Sequence, residues 1–159
     1  MFLVPDYNLK NIYEIDLDEL KAKGIKLIMF DLDSTLMVSK SGKYLPETLD
    51  WLAKVKENFD IVVVSNNNRG NYIDSVKEIS DFDVLGSCAK PETKVISEYI
   101  SSKGYSAQDC AIVGDRPLTD ILCGKRLGCM TILVGSINAE NEGLPTQFVR
   151  WLERLTIKK

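Results

Sequence analysis

Two carboxylates, Asp31 and Asp33, and a hydroxyl, Thr35, follow an apolar run in the stretch IKLIMFDLDSTL. On an extended chain, residues two apart point to the same side, so the two carboxylates converge. Like charges that close repel unless a cation or a proton compensates them. A hard cation such as Mg²⁺ takes oxygen ligands and keeps places for phosphate oxygens. Other polar positions suit the same chemistry. Ser65, at the head of SNNN with Asn66 beside it, can donate to a phosphoryl oxygen. Lys90, just before Pro91, can neutralise phosphate charge if the fold holds it still. Asp115 and Asp120 flank Arg116, Pro117, Leu118 and Thr119 in GDRPLTD. Taken singly these are bland: a strand-ending turn, a surface lysine, a Gly-Asp helix cap.

What gathers them is the pattern of elements around them. Ile25, Leu27, Ile28, Met29 and Phe30 read as a strand buried on both faces, as in a parallel sheet. Further apolar strands are expected over 61–64, 82–85, 111–113 and 130–134. Helices are expected over 17–23, 46–58, 72–79, 92–103 and 117–127, with a last one opening at Pro145. Asp16 caps the first of these and Gly24 ends it. Residues 1–12 read as irregular, broken by Pro5. The alternation predicts a three-layer α/β domain over 1–159, with a five-stranded parallel sheet and helices on both faces. The polar clusters fall after the first, second and fourth strands, at carboxyl ends where open α/β sheets bind ligands. The loop from Val38 to Tyr44 should hang over that crevice.

The chain of 159 residues has ordinary globular composition, 45% hydrophobic and 27% charged. Its net charge of −3 argues against bulk nucleic-acid binding. It contains no histidine, which removes Ser-His-Asp and Cys-His catalysis and every His-ligated metal site. Cys88, Cys110, Cys123 and Cys129 show no metal-type pairing and read as buried thiols, as in a reducing cytosol. No signal peptide and no spanning run stands out. Phe148, Trp151, Leu152 and Leu155 form one apolar stripe near Arg150, Arg154, Lys158 and Lys159. That stripe packs on the sheet or docks on an anionic membrane surface.

In order and placement, Asp31, Asp33, Thr35, Ser65, Lys90, Asp115 and Asp120 resemble the four motifs of the haloacid dehalogenase-like (HAD) phosphohydrolases. At finer grain LDELKAKGIK, FDLDSTL, VVVSNN, AKP and VGDRPLTD are similar to the YqeG-type bacterial phosphatases, relatives of the mitochondrial phosphatidylglycerophosphate phosphatases. Ser34 stands where that family usually carries Asn. The resemblance implies an Mg²⁺-dependent phosphomonoesterase with Asp31 as nucleophile and Asp33 as general acid. Asp31, the carbonyl of Asp33 and Asp115 would hold the metal. Ser65, Asn66 and Lys90 would bind phosphoryl oxygens, with Thr35 in the same pocket and Asp120 orienting Lys90 or the metal's water. The intervals between motifs leave no room for a cap domain. An open pocket suits a phosphate on something large, with a lipid headgroup as the leading expectation. A phosphoprotein or nucleic-acid end stays open as an alternative. A receiver-like module fits poorly, because no carboxylate follows the third strand at Gly86-Ser87-Cys88. The expected location is cytoplasmic, peripheral at the membrane's inner face.

Overall fold

The computed structural model describes residues 3–137, 153–155 and 157. Six parallel strands form one sheet in the order β1-β6-β5-β2-β3-β4. In chain order they are β1 (Tyr7–Asn8), β2 (Leu27–Phe30), β3 (Asp60–Val64), β4 (Asp83–Leu85), β5 (Cys110–Gly114) and β6 (Met130–Leu133). The helices are α1 (Leu17–Ala22), α2 (Pro46–Lys56), α3 (Gly70–Glu78), α4 (Lys94–Ser102) and α5 (Leu122–Leu127).

The sheet has one strand more than the sequence predicts. The extra strand, β1, lies in the leader expected to be irregular and pairs Tyr7 with Ile132 and Asn8 with Leu133. Two residues carry no readable period. Its anchor is tertiary: the Asp6 carboxylate accepts from the Thr131 N–H at 2.8 Å, and the Asp6 N–H donates to Thr131 Oγ1 at 3.1 Å.

Every residue of β2 is at most 1% exposed, as its unbroken apolar run requires. Successive side chains alternate between faces. Ile28 and Phe30 join a core with Leu20 of α1, Trp51, Leu52 and Val55 of α2, and Ile73 and Val76 of α3. Leu27 and Met29 join a second core with Ile96 and Ile100 of α4 and Cys123 of α5. Fully burying an apolar side chain of this size contributes roughly 1.5–3 kcal/mol, so each face holds its helices by a few such residues. Trp51 sets its ring edge-to-face against Phe30 at 5.8 Å and Tyr13 at 6.0 Å, fixing α2 over the middle of the sheet. All four cysteines are buried and unpaired.

Helix boundaries follow local chemistry. Asp16 accepts the Glu19 N–H at 3.0 Å and caps α1, and Gly24 at φ +85° lets the chain leave it. Pro46 opens α2 at a position where no amide hydrogen is needed. The helix expected over 117–127 divides: Pro117–Ile121 makes a wider π-type turn before α5 begins. No cap domain interrupts the described residues, since the sheet's own strands and helices fill the intervals between motifs. Among the described residues no helix is long and apolar enough to cross a membrane.

The chain steps from β2 outward to β3 and β4, then crosses back to β5 and β6 on the other side. Strand order therefore reverses at β2, and a crevice opens beyond its carboxyl end. Of the residues in the terminal stripe, Phe148, Trp151, Leu152, Arg150, Lys158 and Lys159 lie outside the described residues. Leu155 is exposed, and Arg154 turns inward to donate to the Val134 carbonyl at 3.0 Å.

Candidate active site

Register carries the polar clusters to one edge. Phe30 is level with Val63 on β3 and Val113 on β5, so Asp31 leaves the sheet beside the ends of both neighbours. The Asp31 N–H still donates to Val113 O at 2.9 Å, which holds the start of the loop rigid. Ser65 and Asp115 follow directly after β3 and β5. Lys90 arrives from beyond β4, through a loop with Ser87 at φ +53° and Ala89 at φ +55°. Non-glycine residues there cost energy, and such conformations persist only where surrounding contacts impose them.

One such contact is Asn66. Its side-chain amide accepts the Lys90 N–H at 2.7 Å and donates to the Lys90 carbonyl at 2.9 Å. This clamp aims the lysine side chain into the crevice. Lys90 Nζ then donates to Asp120 Oδ1 at 2.6 Å and Asp31 Oδ1 at 2.9 Å. Burial alone would lower the lysine's pKa, but Asp120 and Asp31 outweigh it and hold the ammonium above the ordinary lysine range. Burial and the charge of Asp31 push Asp120 up to about 6, against the pull of Lys90 and the Arg116 N–H. Burial thus acts on both groups, lowering the lysine and raising the aspartate, and the surrounding carboxylate charge raises both.

The π-type turn delivers Asp120. Leu122 N–H reaches back five residues to Pro117 O, and this wide turn swings Asp120 under the end of β5. There its carboxylate lies against Gly114, whose missing side chain is what makes room; a Cβ at 114 would overlap Asp120. Asp115 is 1% exposed and accepts from Thr35 Oγ1 at 3.1 Å, so Thr35 ties the first loop to the fourth. Carboxylate oxygens of Asp31, Asp115 and Asp120 all lie within 4.8 Å of one another. An all-oxygen set without nitrogen or sulfur suits a hard divalent cation. Asp120 has both oxygens engaged, Oδ1 by Lys90 Nζ and Oδ2 by the Arg116 N–H at 3.2 Å, whereas Asp31 meets Lys90 through Oδ1, which leaves Asp31 and Asp115 as the better placed ligands.

The Asp33 carboxylate stands apart from that cluster. Its Oδ1 accepts from Tyr72 Oη at 2.6 Å and the Lys40 N–H at 2.9 Å. Burial, and then the bond to Asp33, raises the Tyr72 hydroxyl's pKa, so it stays a donor. The loop from Val38 to Tyr44 runs beside Asp33, to which Lys40 donates, with Met37 bridging to both Asp33 and Tyr44. Ser65 is 2% exposed and its Oγ accepts the Asn67 N–H at 3.0 Å.

The structure thus gathers Asp31, Thr35, Lys90, Asp115 and Asp120, with Ser65 on one flank and Asp33 on the other. Asn66 lies beside them with its side chain clamped on the Lys90 backbone. Tyr72 was passed over as the start of a helix. Its signal was position: an aromatic hydroxyl in the first turn of a helix that rises from the crevice.

A sequence model described as "Mitochondrial PGP phosphatase" matches residues 1–137. The chain is 33% identical over 154 residues to "Probable phosphatase YqeG" of Bacillus subtilis, covering 96% of this chain and 88% of that one. It is 30% identical over 167 residues to "Phosphatidylglycerophosphate phosphatase 1, chloroplastic/mitochondrial" of Arabidopsis thaliana. That match takes in 99% of this chain but 48% of the plant protein, so the chain spans about half the plant relative's length. In fold it is similar to the D,D-heptose 1,7-bisphosphate phosphatase of B. bronchiseptica, solved with magnesium and phosphate, at a TM-score of 0.61 and 16% identity, covering 82% of this chain and 98% of that one. A 2-haloacid dehalogenase from Pseudomonas syringae superposes at 0.60 with 15% identity, over 80% and 99% of the two chains. The matched model, the bacterial relative and the shared sheet agree, and the chain belongs to the mitochondrial PGP phosphatase family, a phosphatase of HAD-like fold.

Proposed function

We propose that this phosphatase hydrolyses phosphomonoesters with Mg²⁺ through an aspartyl-phosphate on Asp31. The observation that carries the reading is the buried ammonium of Lys90, fixed at 2.9 Å from Asp31 and 2.6 Å from Asp120. A carboxylate attacks an anionic phosphate only where fixed positive charge offsets the repulsion. Mg²⁺ held by Asp31, the Asp33 carbonyl and Asp115 would add to that offset when bound.

A carboxylate oxygen of Asp31 attacks phosphorus and the bond to the leaving oxygen breaks. Asp33 gives that oxygen its proton. Asp33, now a carboxylate, takes a proton from water, whose oxygen attacks phosphorus and releases Asp31 and phosphate. Ser65 and Lys90 hold the phosphoryl oxygens. Asn66, whose amide holds the Lys90 backbone, keeps a second amide N–H that can donate to a phosphoryl oxygen. Thr35 keeps Asp115 oriented and Asp120 keeps Lys90 oriented.

The substrate is phosphatidylglycerophosphate, supported by the relatives' names and by an open crevice that can reach a phosphate displayed on a surface. Residues 1–159 act as one domain, in the cytoplasm at the membrane's inner face. Phosphate release from phosphatidylglycerophosphate in mixed micelles, a phosphopeptide and a phosphorylated oligonucleotide tests the reading. Mg²⁺-dependent release fastest from the lipid is expected. Preference for the peptide or oligonucleotide would replace the substrate, and no release from any of them would refute the activity.

A further inference from the structure

Beside Asp33 lies an open cleft of about 320 Å³, lined by Lys40, Asn66, Asn67, Asn68, Arg69 and Tyr72. Its size falls at the low end of small-molecule sites, about 300–1,000 Å³. We propose that this cleft is the leaving-group subsite and that it takes an anionic, hydroxyl-bearing group such as a glycerol phosphate diester. The assignment rests on the reading of Asp33 as general acid.

Three observations support it. The first is place. Tyr72 Oη and the Lys40 N–H both end on Asp33 Oδ1, so two walls of the cleft hold the acid directly. With Oδ1 accepting both, the proton for the leaving oxygen sits on Oδ2. Whatever is attached to that oxygen extends past Asp33, where the cleft lies.

The second is charge. The lining holds two cations and no carboxylate. Neither Lys40 nor Arg69 has a carboxylate partner among the described residues; other surface cations also lack one, but these two line a single cleft. Two unmatched cations across a polar cleft select for an anion. The wall has amides and a phenol but no aliphatic side chain, so it suits a headgroup rather than hydrocarbon.

The third is linkage to the phosphate side. The Asn67 N–H donates to Ser65 Oγ at 3.0 Å, and Asn67 Oδ1 accepts the Arg69 N–H at 2.8 Å. Arg69 is therefore positioned by the same short segment that positions Ser65.

The test compares two water-soluble monoesters on the full chain with Mg²⁺. One is glycerophosphoglycerol phosphate, which carries a diester in its leaving group; the other is glycerol 3-phosphate, which does not. Wild-type protein should favour the first in kcat/KM. Arg69→Gln and Lys40→Gln should each cut that preference by about tenfold, mainly through KM, the loss expected for one charge-assisted hydrogen bond. Lys40→Gln keeps the N–H on Asp33, so the acid stays held. Arg69→Lys should retain most of the preference. A wild-type enzyme without preference, or variants that slow both substrates in equal proportion, would overturn the subsite alone. No phosphate release from either substrate would overturn the phosphatase reading and the subsite together.

Discussion

Lys90 is the residue on which the site turns, because its charge is buried and its position is set from both ends. Asn66 fixes its backbone and two carboxylates fix its ammonium. Breaking a buried pair by removing one partner costs about 3–5 kcal/mol, since the other charge stays behind. Lys90→Met, which leaves Asp31 and Asp120 facing each other without their shared cation, should lower the unfolding free energy by that order in urea titrations with chelator present; a loss under about 1 kcal/mol would mean that water or a proton on Asp120 takes over the lysine's part. Asp31→Asn should fold yet lose turnover on the order of 10⁴-fold or more, because a neutral amide is no nucleophile. A variant retaining a tenth of the wild-type rate would end the covalent scheme.

Among elements, the turn at Pro117–Ile121 decides most. Its geometry needs Gly114, so Gly114→Ala should displace Asp120 and loosen Lys90. Overpacking of this kind costs about 1–3 kcal/mol, read as a lower melting temperature together with a fall in turnover. Unchanged melting and activity would show that Asp120 has room to move. The strands carrying Asp31, Ser65 and Asp115 were legible in the sequence, since runs such as LIMF, IVVV and AIV have no other good placement. The capped first helix was legible for the same local reason. Beyond reach were features made by tertiary contact: the two-residue β1, the wide turn inside an expected helix, and the Tyr72 bond to Asp33. The Asn66 clamp on the Lys90 backbone was out of reach for the same reason, because spacing shows which residues meet and not which atoms bond.

The proposed Mg²⁺ site should register across the whole molecule without any substrate. Ligands that bind only the folded state stabilise it, by about 2.7 kcal/mol at a hundredfold excess over the dissociation constant. Millimolar Mg²⁺ should therefore raise the melting temperature of chelator-treated protein, and Asp115→Asn should abolish the rise. An equal rise in that variant would place the ion elsewhere. The carboxyl-terminal segment is also tied to this site: Glu153, 4% exposed, accepts from Arg116 Nε at 3.1 Å and Nη2 at 3.3 Å. Arg116 lies between Asp115 and Asp120, so Glu153→Gln should slow turnover through that loop, measured as a lower kcat at unchanged folding. Finally, β1 covers the flank of β6, whose four residues MTIL would otherwise offer unpaired amides and carbonyls to any neighbouring chain. The opposite flank, β4, is only three residues long and opens on the exposed Asp83. Removing residues 1–10 should consequently turn a well-behaved protein into one that self-associates, with light scattering rising with concentration while helical circular dichroism persists.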